Sequence, residues 1–242
     1  MPTATTTAIR VAAGVVSVAM VGGTAATLLD PMLERSETSR EAYPTGTSTL
    51  ALRNGVGDVT VRRAAAGQEP SITTTRTWGL QQPSIDVRAD GDTARLEGRC
   101  HVNPVATTCK TAWVVVVPEG TRLQLEGGVG RITVEGTDGD VDVDMGVGDV
   151  EVTALRADDV SVDIGVGGAS VDVAEAPRST SITSGVGDVD VRLPGDETYR
   201  LSDGASTDGG PRTVDNRLPT APDADHSIRV DSGVGSVTLQ PR

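Results

Sequence analysis

Aromatic side chains are nearly absent from this chain of 242 residues. It contains no Phe, two Trp and two Tyr. Because a thick globular core normally includes several such rings, the core must be made from Val, Ile, Leu and Ala, which favours a thin and repetitive β-structure. Sugar-binding sites also use aromatic faces, so the composition argues against a typical carbohydrate site.

The residues of nucleophilic catalysis are also scarce. His101 and His226 are the only histidines, and no Gly-x-Ser-x-Gly motif occurs. A Ser or Cys nucleophile needs a His base and an orienting acid, so we predict no catalytic residues and expect no enzyme. A glycine fingerprint for nucleotides followed by a helix is missing too, and neither a cofactor nor a metal site is predicted.

Only two cysteines occur, Cys100 and Cys109. Their spacing is a poor match to zinc motifs, and Cys-x-x-Cys is absent. The intervening Asn103-Pro104 is a turn signal between two strand-like segments. We therefore predict a β-hairpin closed by a disulfide, which is typical of an oxidising compartment. A metal or redox pair is the alternative.

Positive charge is in short supply. The chain has 21 basic and 34 acidic residues, and a net charge of −13. From Asp138 to Asp190 there are 13 acidic residues against Arg156 and Arg178. Such a surface repels nucleic acid, which is excluded as a partner. We expect the carboxylates to solvate outer faces and to discourage aggregation. Calcium binding is left open, although the motif of calcium-binding β-rolls is not matched.

What the chain has in abundance is Gly-Val-Gly followed by a polar residue and alternating valines. The copies that begin between Gly128 and Gly185 are spaced by 18, 19 and 20 residues. A period of about 20 residues is typical of a solenoid, in which each repeat packs only on its neighbours. We predict that the glycines form structural corners at Gly55, Gly57, Gly128, Gly130, Gly146, Gly148, Gly165, Gly167, Gly185, Gly187, Gly233 and Gly235.

The valines change parity at every corner. From Val141 to Val147, Val or Met occupies the odd positions, and Asp occupies the even positions 140, 142 and 144. This alternation predicts a half-buried strand with the odd residues inward, Val147 included. After the glycines the apolar positions are even, at Val150 and Val152. One extra residue explains the shift if a corner glycine adopts a positive φ.

One long uncharged run is present, from Val11 to Leu29. As a helix it would be about 28 Å long, close to the thickness of a bilayer's hydrocarbon core. Arg10 precedes the run, and Asp30 and Glu34 follow it, which orients the N-terminus inside. We predict a single-pass anchor in the cell membrane with the remainder outside. Secretion after signal cleavage near Gly23-Thr24-Ala25 is the alternative.

The predicted organisation is one all-β solenoid domain behind an N-terminal transmembrane helix. Residues 1–10 are assigned to the cytoplasm, 11–29 to the anchor or signal, 30–46 to a polar stem and 47–240 to the extracytoplasmic β-solenoid. Within the solenoid, residues 47–126 form an irregular first part with the disulfide hairpin, and residues 127–240 form regular repeats and a cap. The last copy, which ends at Leu239, is expected to close the stack.

An apolar N-terminal segment followed by serial Gly-Val-Gly-Asp-Val repeats resembles the bacterial "putative adhesin" family of unknown function. That family is related to the toast-rack β-domains of envelope-stress membrane proteins. The resemblance runs from about Thr47 to Leu239. It implies an extracytoplasmic β-solenoid without an assigned activity, and it supplies no catalytic residues to transfer.

The expected function is non-enzymatic. We predict an adhesin-like or envelope-stress interaction module that is attached to the membrane by its N-terminal segment and contacts an envelope protein or the cell wall. The first alternative is a carbohydrate-active β-helix enzyme, whose candidate carboxylate pairs would be Asp142/Asp144, Asp158/Asp159 and Asp188/Asp190. The second alternative is a purely structural surface spacer.

Overall fold

All regular structure in the computed structural model is β-strand. The model describes residues 34–100, 108–204 and 212–242, and no helix in these ranges is long and apolar enough to cross a membrane. The proposed anchor at 11–29 lies outside the described residues. The strands are β1 Arg35–Ala42, β2 Thr49–Val56, β3 Val59–Arg63, β4 Ser71–Trp78, β5 Ser84–Asp90, β6 Thr93–Arg99, β7 Cys109–Val117, β8 Arg122–Glu135, β9 Val141–Leu155, β10 Asp159–Val166, β11 Ala169–Val173, β12 Ser179–Val186, β13 Val189–Leu193, β14 Tyr199–Gly204, β15 Arg212–Asn216 and β16 His226–Pro241.

The strands form two layers that meet at the glycine corners. The first layer has the order β5-β6-β2-β8-β9-β10-β12-β16-β14, and the second has the order β1-β4-β7-β3-β8-β9-β11-β13-β16-β15. Strands β8, β9 and β16 run through a corner and belong to both layers. Neighbours are parallel except for the pairs β5–β6, β4–β7 and β1–β4. Each coil of the solenoid therefore gives one strand segment to each layer.

The core lies between the layers and consists of stacked aliphatic residues. Along β9, Val143, Met145 and Val150 are buried while the intervening aspartates are exposed. Val143 is in register with Leu125 on one neighbouring coil and Val162 on the other. This in-register packing removes apolar surface from water at every coil, which is the main stabilisation of the fold.

The segment predicted as a polar stem takes part in the second layer. Strand β1 pairs antiparallel with β4, from Arg35 opposite Trp78 to Ala42 opposite Ser71. The stem prediction for residues 30–46 is therefore wrong over β1. The polar composition misled because β1 is an edge strand with almost every side chain exposed, so it needs no apolar residues.

The last glycine copy does not close the stack. Strand β16 lies between β12 and β14 in the first layer and between β13 and β15 in the second. The coil made by β14 and β15 precedes β16 in the chain but lies outside it, so the predicted cap is wrong. Gly233 of β16 packs against the carbonyl oxygen of Gly185, where an added Cβ would lie only 2.5 Å away. The complete corner motif thus places β16 directly on the regular coils.

The two cysteines form the predicted disulfide without the predicted hairpin. Cys100 and Cys109 are bonded, with their Cα atoms 5.8 Å apart. Strand β6 pairs with β5 and β2, whereas β7 pairs with β4 and β3. The bond therefore connects the first layer to the second at the N-terminal end of the stack. Closing so short a loop stabilises the fold by about 2–3 kcal/mol.

Candidate functional surface

Each corner uses its two glycines for different physical reasons. The second glycine of every pair has a φ between +119° and +150°, a region that residues with a Cβ rarely adopt. The first glycine has no such φ, but at every corner except that of Gly55 it allows close stacking. A Cβ on Gly146 would lie 2.8 Å from the carbonyl oxygen of Gly128 on the preceding coil. The corners therefore stack as two glycine columns, one of first and one of second glycines.

The valine between the two glycines points to solvent at every corner. On β9 the buried alternation ends at Met145 and resumes at Val150, and Val147 is 48% exposed. The prediction that Val147 faces inward is wrong, because the corner turns this residue away from both layers. The six equivalent valines, hereafter the valine ridge, are in register on successive coils and 37–51% exposed: Val56, Val129, Val147, Val166, Val186 and Val234.

Carboxylates flank the valine ridge along both sides. The first rim contains the residues three positions before each valine: Arg53, Glu126, Asp144, Asp163, Thr183 and Asp231. The second rim contains those two positions after it: Asp58, Arg131, Asp149, Gly168, Asp188 and Ser236. Seven of the twelve are acidic and two are arginines, which gives the rims a net charge of −5.

The aspartates of the second rim bind backbone N–H groups of the next coil. Asp58 accepts from the N–H of Arg131 at 3.0 Å, Asp149 from Gly168 at 3.3 Å and Asp188 from Ser236 at 2.8 Å. Aspartate therefore alternates with another residue along this rim. The sequence predicts that these carboxylates solvate the outer faces and discourage aggregation, and it does not predict their hydrogen bonds to the next coil, although the alternation from copy to copy is visible in the repeats.

The first rim keeps unneutralised negative charge. Arg53 pairs with Glu126 at 2.6 Å, but within the described part of the chain no ion pair involves Asp144, Asp163 or Asp231. Burial raises the pKa of the Asp163 carboxyl above its usual value of 3.8, and repulsion from Asp144 raises it further. The acidic excess is therefore located on the central and C-terminal coils.

A shallow groove of about 520 Å³ crosses the second layer beside the ridge. Small residues around Ser170 form its floor, and Glu151 and Asp190 stand on the strands to either side. No aromatic residue is among the described residues that line it. Of the predicted carboxylate pairs, only Asp188/Asp190 lines this groove.

The other two candidate pairs lie in the first layer, where Asp142 and Asp159 line one smaller groove between β9 and β10. Asp142/Asp144 projects from the exposed face of β9, whereas Asp158 lies in the turn before β10 and Asp159 is the first residue of β10. The structure thus does not bring the three pairs together. Across the described ranges, no group of three or more His, Cys, Asp or Glu residues is placed to hold a metal ion.

His226, the histidine among the described residues, contacts neighbouring segments of the fold. The Nδ1 atom of His226 lies 2.9 Å from the carbonyl oxygen of Pro177, and the ring lies 5.9 Å from that of Tyr199. Its Nε2 atom is 3.8 Å from a Glu197 carboxylate oxygen. His226 therefore helps to join β16 to the neighbouring turns. His101 lies outside the described residues.

Comparisons with solved structures find distant likenesses. The "putative cell adhesion protein" of Clostridium sporogenes is 12% identical with a TM-score of 0.41, over 86% of this chain and 100% of that one. The "putative adhesin" of Bacteroides fragilis is 11% identical with a TM-score of 0.46, over 85% and 97%. A "putative lipid binding protein" of Parabacteroides distasonis is 10% identical with a TM-score of 0.33, over 85% and 97%. No curated protein sequence matches the chain.

The sequence profile of one family spans nearly the whole chain. This family is described as Toastrack DUF4097, and its profile matches residues 7–239. The matched range includes all of the glycine corners and both layers of the β-structure. The chain therefore belongs to the Toastrack DUF4097 family.

Proposed function

We propose that this protein is a non-enzymatic, adhesin-like interaction module of the cell envelope. The valine ridge is the observation that supports the proposal. Six valines expose on the order of 400 Å² of apolar surface in one line, the size of the largest apolar patch on a typical monomer, which is often functional. The corner conformation depends on the glycines, so a polar residue between them would serve the fold equally well.

The rigidity of the stack supports the same proposal. Corner backbones of successive coils are hydrogen-bonded to one another, as from the Gly57 N–H to the Val129 oxygen at 2.9 Å and from the Gly187 N–H to the Val234 oxygen at 2.9 Å. Such a surface needs little ordering when it binds a partner, which lowers the entropic cost of association. A preorganised linear surface suits recognition better than catalysis.

Export and membrane attachment are part of the proposal. A disulfide that connects the two layers is typical of proteins in oxidising compartments. The uncharged run at 11–29 would provide the anchor, and it would place the β-domain outside the membrane. A protease-protection assay on intact cells tests this arrangement, since an internal β-domain would resist externally added protease.

Cosedimentation tests the interaction function. The purified full-length protein is mixed with isolated cell-wall sacculi or with envelope membranes, with and without Ca²⁺, and the pelleted fraction is measured against protein spun alone. Saturable pelleting, reduced by an excess of unlabelled protein, is expected with at least one fraction. Protein that stays in the supernatant in every condition would overturn the proposal.

A further inference from the structure

We propose that the valine ridge and its two rims bind a cationic amphipathic helix, which lies along the ridge across the coils. This inference rests on the proposed interaction function and names the chemistry of the partner. The partner's apolar stripe would contact the six valines. Its Lys or Arg residues on both flanks would reach the carboxylates of the two rims.

The dimensions of the ridge fit a short helix. Parallel strands are about 4.8 Å apart, so six coils give a ridge about 24 Å long. A helix of about 16 residues has that length, and its turns repeat every 5.4 Å, close to the spacing of the valines. A helical stripe with apolar residues at i, i+4, i+7 and i+11 would therefore place its four side chains near about four successive coils.

The backbone of the ridge favours a partner recognised through side chains. Corner N–H groups already donate to neighbouring coils, as Gly167 does to the Val186 oxygen at 2.8 Å. The ridge also crosses the strands at right angles and is not a sheet edge. It therefore presents no row of unpaired backbone N–H and C=O groups to which another strand could be added. A helix satisfies its own backbone hydrogen bonds and can bind by its side chains alone.

Charge selects a cationic partner over the other possible occupants. The ridge of a second copy would bring together two pairs of rims, each pair with a net charge of −5, and like charges oppose that contact. Anionic lipid headgroups are repelled for the same reason. The carboxylates of Asp144, Asp163 and Asp231 have no ion-pair partner in the described part of the chain, so they are available to cations. The partner's positive charge is therefore expected over the central and C-terminal coils.

Fluorescence anisotropy with a designed probe tests the proposal. The probe is a fluorescein-labelled helix of about 16 residues with the Leu stripe given above, Lys on both flanks and Ala elsewhere. A matched probe carries Glu in place of Lys. The full-length protein is used in nanodiscs of neutral phosphatidylcholine, and empty nanodiscs provide the blank. We expect saturable binding of the Lys probe, weakened by added salt, and none of the Glu probe.

Two sets of variants separate the ridge from general electrostatics. Replacing Val147, Val166 and Val186 with Thr keeps their shape and β-propensity but removes apolar surface, and should weaken binding about tenfold or more. The matched control replaces Val114 and Val214, each 37% exposed and away from the ridge, with Thr and should change nothing. Thermal melting of both sets checks that the fold is kept.

The second set of variants removes the negative charge of the first rim. Asp144→Asn, Asp163→Asn and Asp231→Asn together should weaken binding of the Lys probe and reduce its salt dependence. Equal binding by the ridge variant and the wild type would overturn the proposal, and so would self-association that the ridge variant abolishes. If wild-type protein still pellets with sacculi or membranes while the Lys probe does not bind, the interaction function stands and the assignment of its partner fails.

Discussion

The stacked glycine corner can be tested by adding a single methyl group. Gly148 has a φ of +138°, and a Cβ there would overlap the carbonyl oxygen of Gly130 on the neighbouring coil. Two costs therefore combine in Gly148→Ala: backbone strain and the displacement of a packed coil. Since the overlap involves Cβ and a backbone atom, no change of rotamer relieves it.

A set of alanine variants separates these two costs. Gly120 has a φ of +72° with nothing within 4 Å, so Gly120→Ala carries strain alone. Gly146→Ala carries close contact alone, because its Cβ would lie 2.8 Å from the Gly128 oxygen without a positive φ. Gly55→Ala carries neither, since its nearest atom is 3.7 Å away. The four variants carry strain, contact, both and neither, and the strain at the φ of +138° exceeds that at +72°.

The expected free energies follow from the two terms. Strain of about 1–2 kcal/mol, offset by the lower entropy of the unfolded chain, leaves Gly120→Ala about 1 kcal/mol less stable. Gly148→Ala adds the loss of two or three ladder hydrogen bonds at about 1 kcal/mol each, or about 3–5 kcal/mol in total. For a domain of this size that lowers Tm by roughly 10 °C.

Circular dichroism melts and urea titrations of the four purified variants measure these differences. Gly55→Ala should stay within about 0.5 kcal/mol of the wild type. Gly146→Ala should be destabilised, although by less than Gly148→Ala. If Gly148→Ala loses no more stability than Gly120→Ala, strain alone accounts for the corner, and the close stacking of successive coils is refuted.

Three further predictions concern polar groups in and around the core. Asn54→Ala should cost about 2–3 kcal/mol in urea titrations, because the buried amide donates to the Gly57 and Thr111 oxygens at 2.9 and 2.8 Å and accepts from Trp113 at 3.3 Å. Ser184→Ala should raise the unfolding free energy by up to about 1 kcal/mol, because that buried hydroxyl has no hydrogen-bond partner among the described residues; a loss of stability would contradict this. Asp163→Asn should raise Tm at pH 7. The pKa of Asp163 is raised in the folded state, so the wild type loses stability as pH rises from 3.8 through that raised value. The gain in Tm of the variant should therefore vanish in melts below pH 3.8.

The class of fold and the places where the chain turns could be predicted from the sequence. Alternating valines give the strands, and paired glycines give the corners, because both depend on local geometry that recurs in every copy. The orientation of Val147 could not be obtained in this way. The change from odd to even apolar positions shows that the corner adds one residue, but several backbone conformations produce the same change. Only the observed path of the backbone shows that Val147 points outward.

Two other errors arose where a property of the whole stack decides the structure. Strand β1 is polar because almost all of its side chains are exposed to solvent, so its composition resembles that of a linker. The position of β16 depends on which strand packs best against the corner at Gly185. The order of the strands along the chain does not reveal that preference. The exposure of the valine ridge could not be predicted for a related reason, since a valine in an alternating pattern is ordinarily buried.

The position of β16 has a consequence for how the chain is completed during synthesis. From β8 to β13, a chain that emerges N-terminus first can add strands one at a time, because each of them pairs with a strand that precedes it in the chain. Strands β14 and β15 then have no partner strand until β16 arrives, since both pair with β16. A ribosome that stops before His226 therefore releases a domain whose β12 and β13 are open edges. The 16 residues of β16 cover these two edges, and they leave only the short strands β14 and β15 outermost, where a short edge gives a second chain little to pair with.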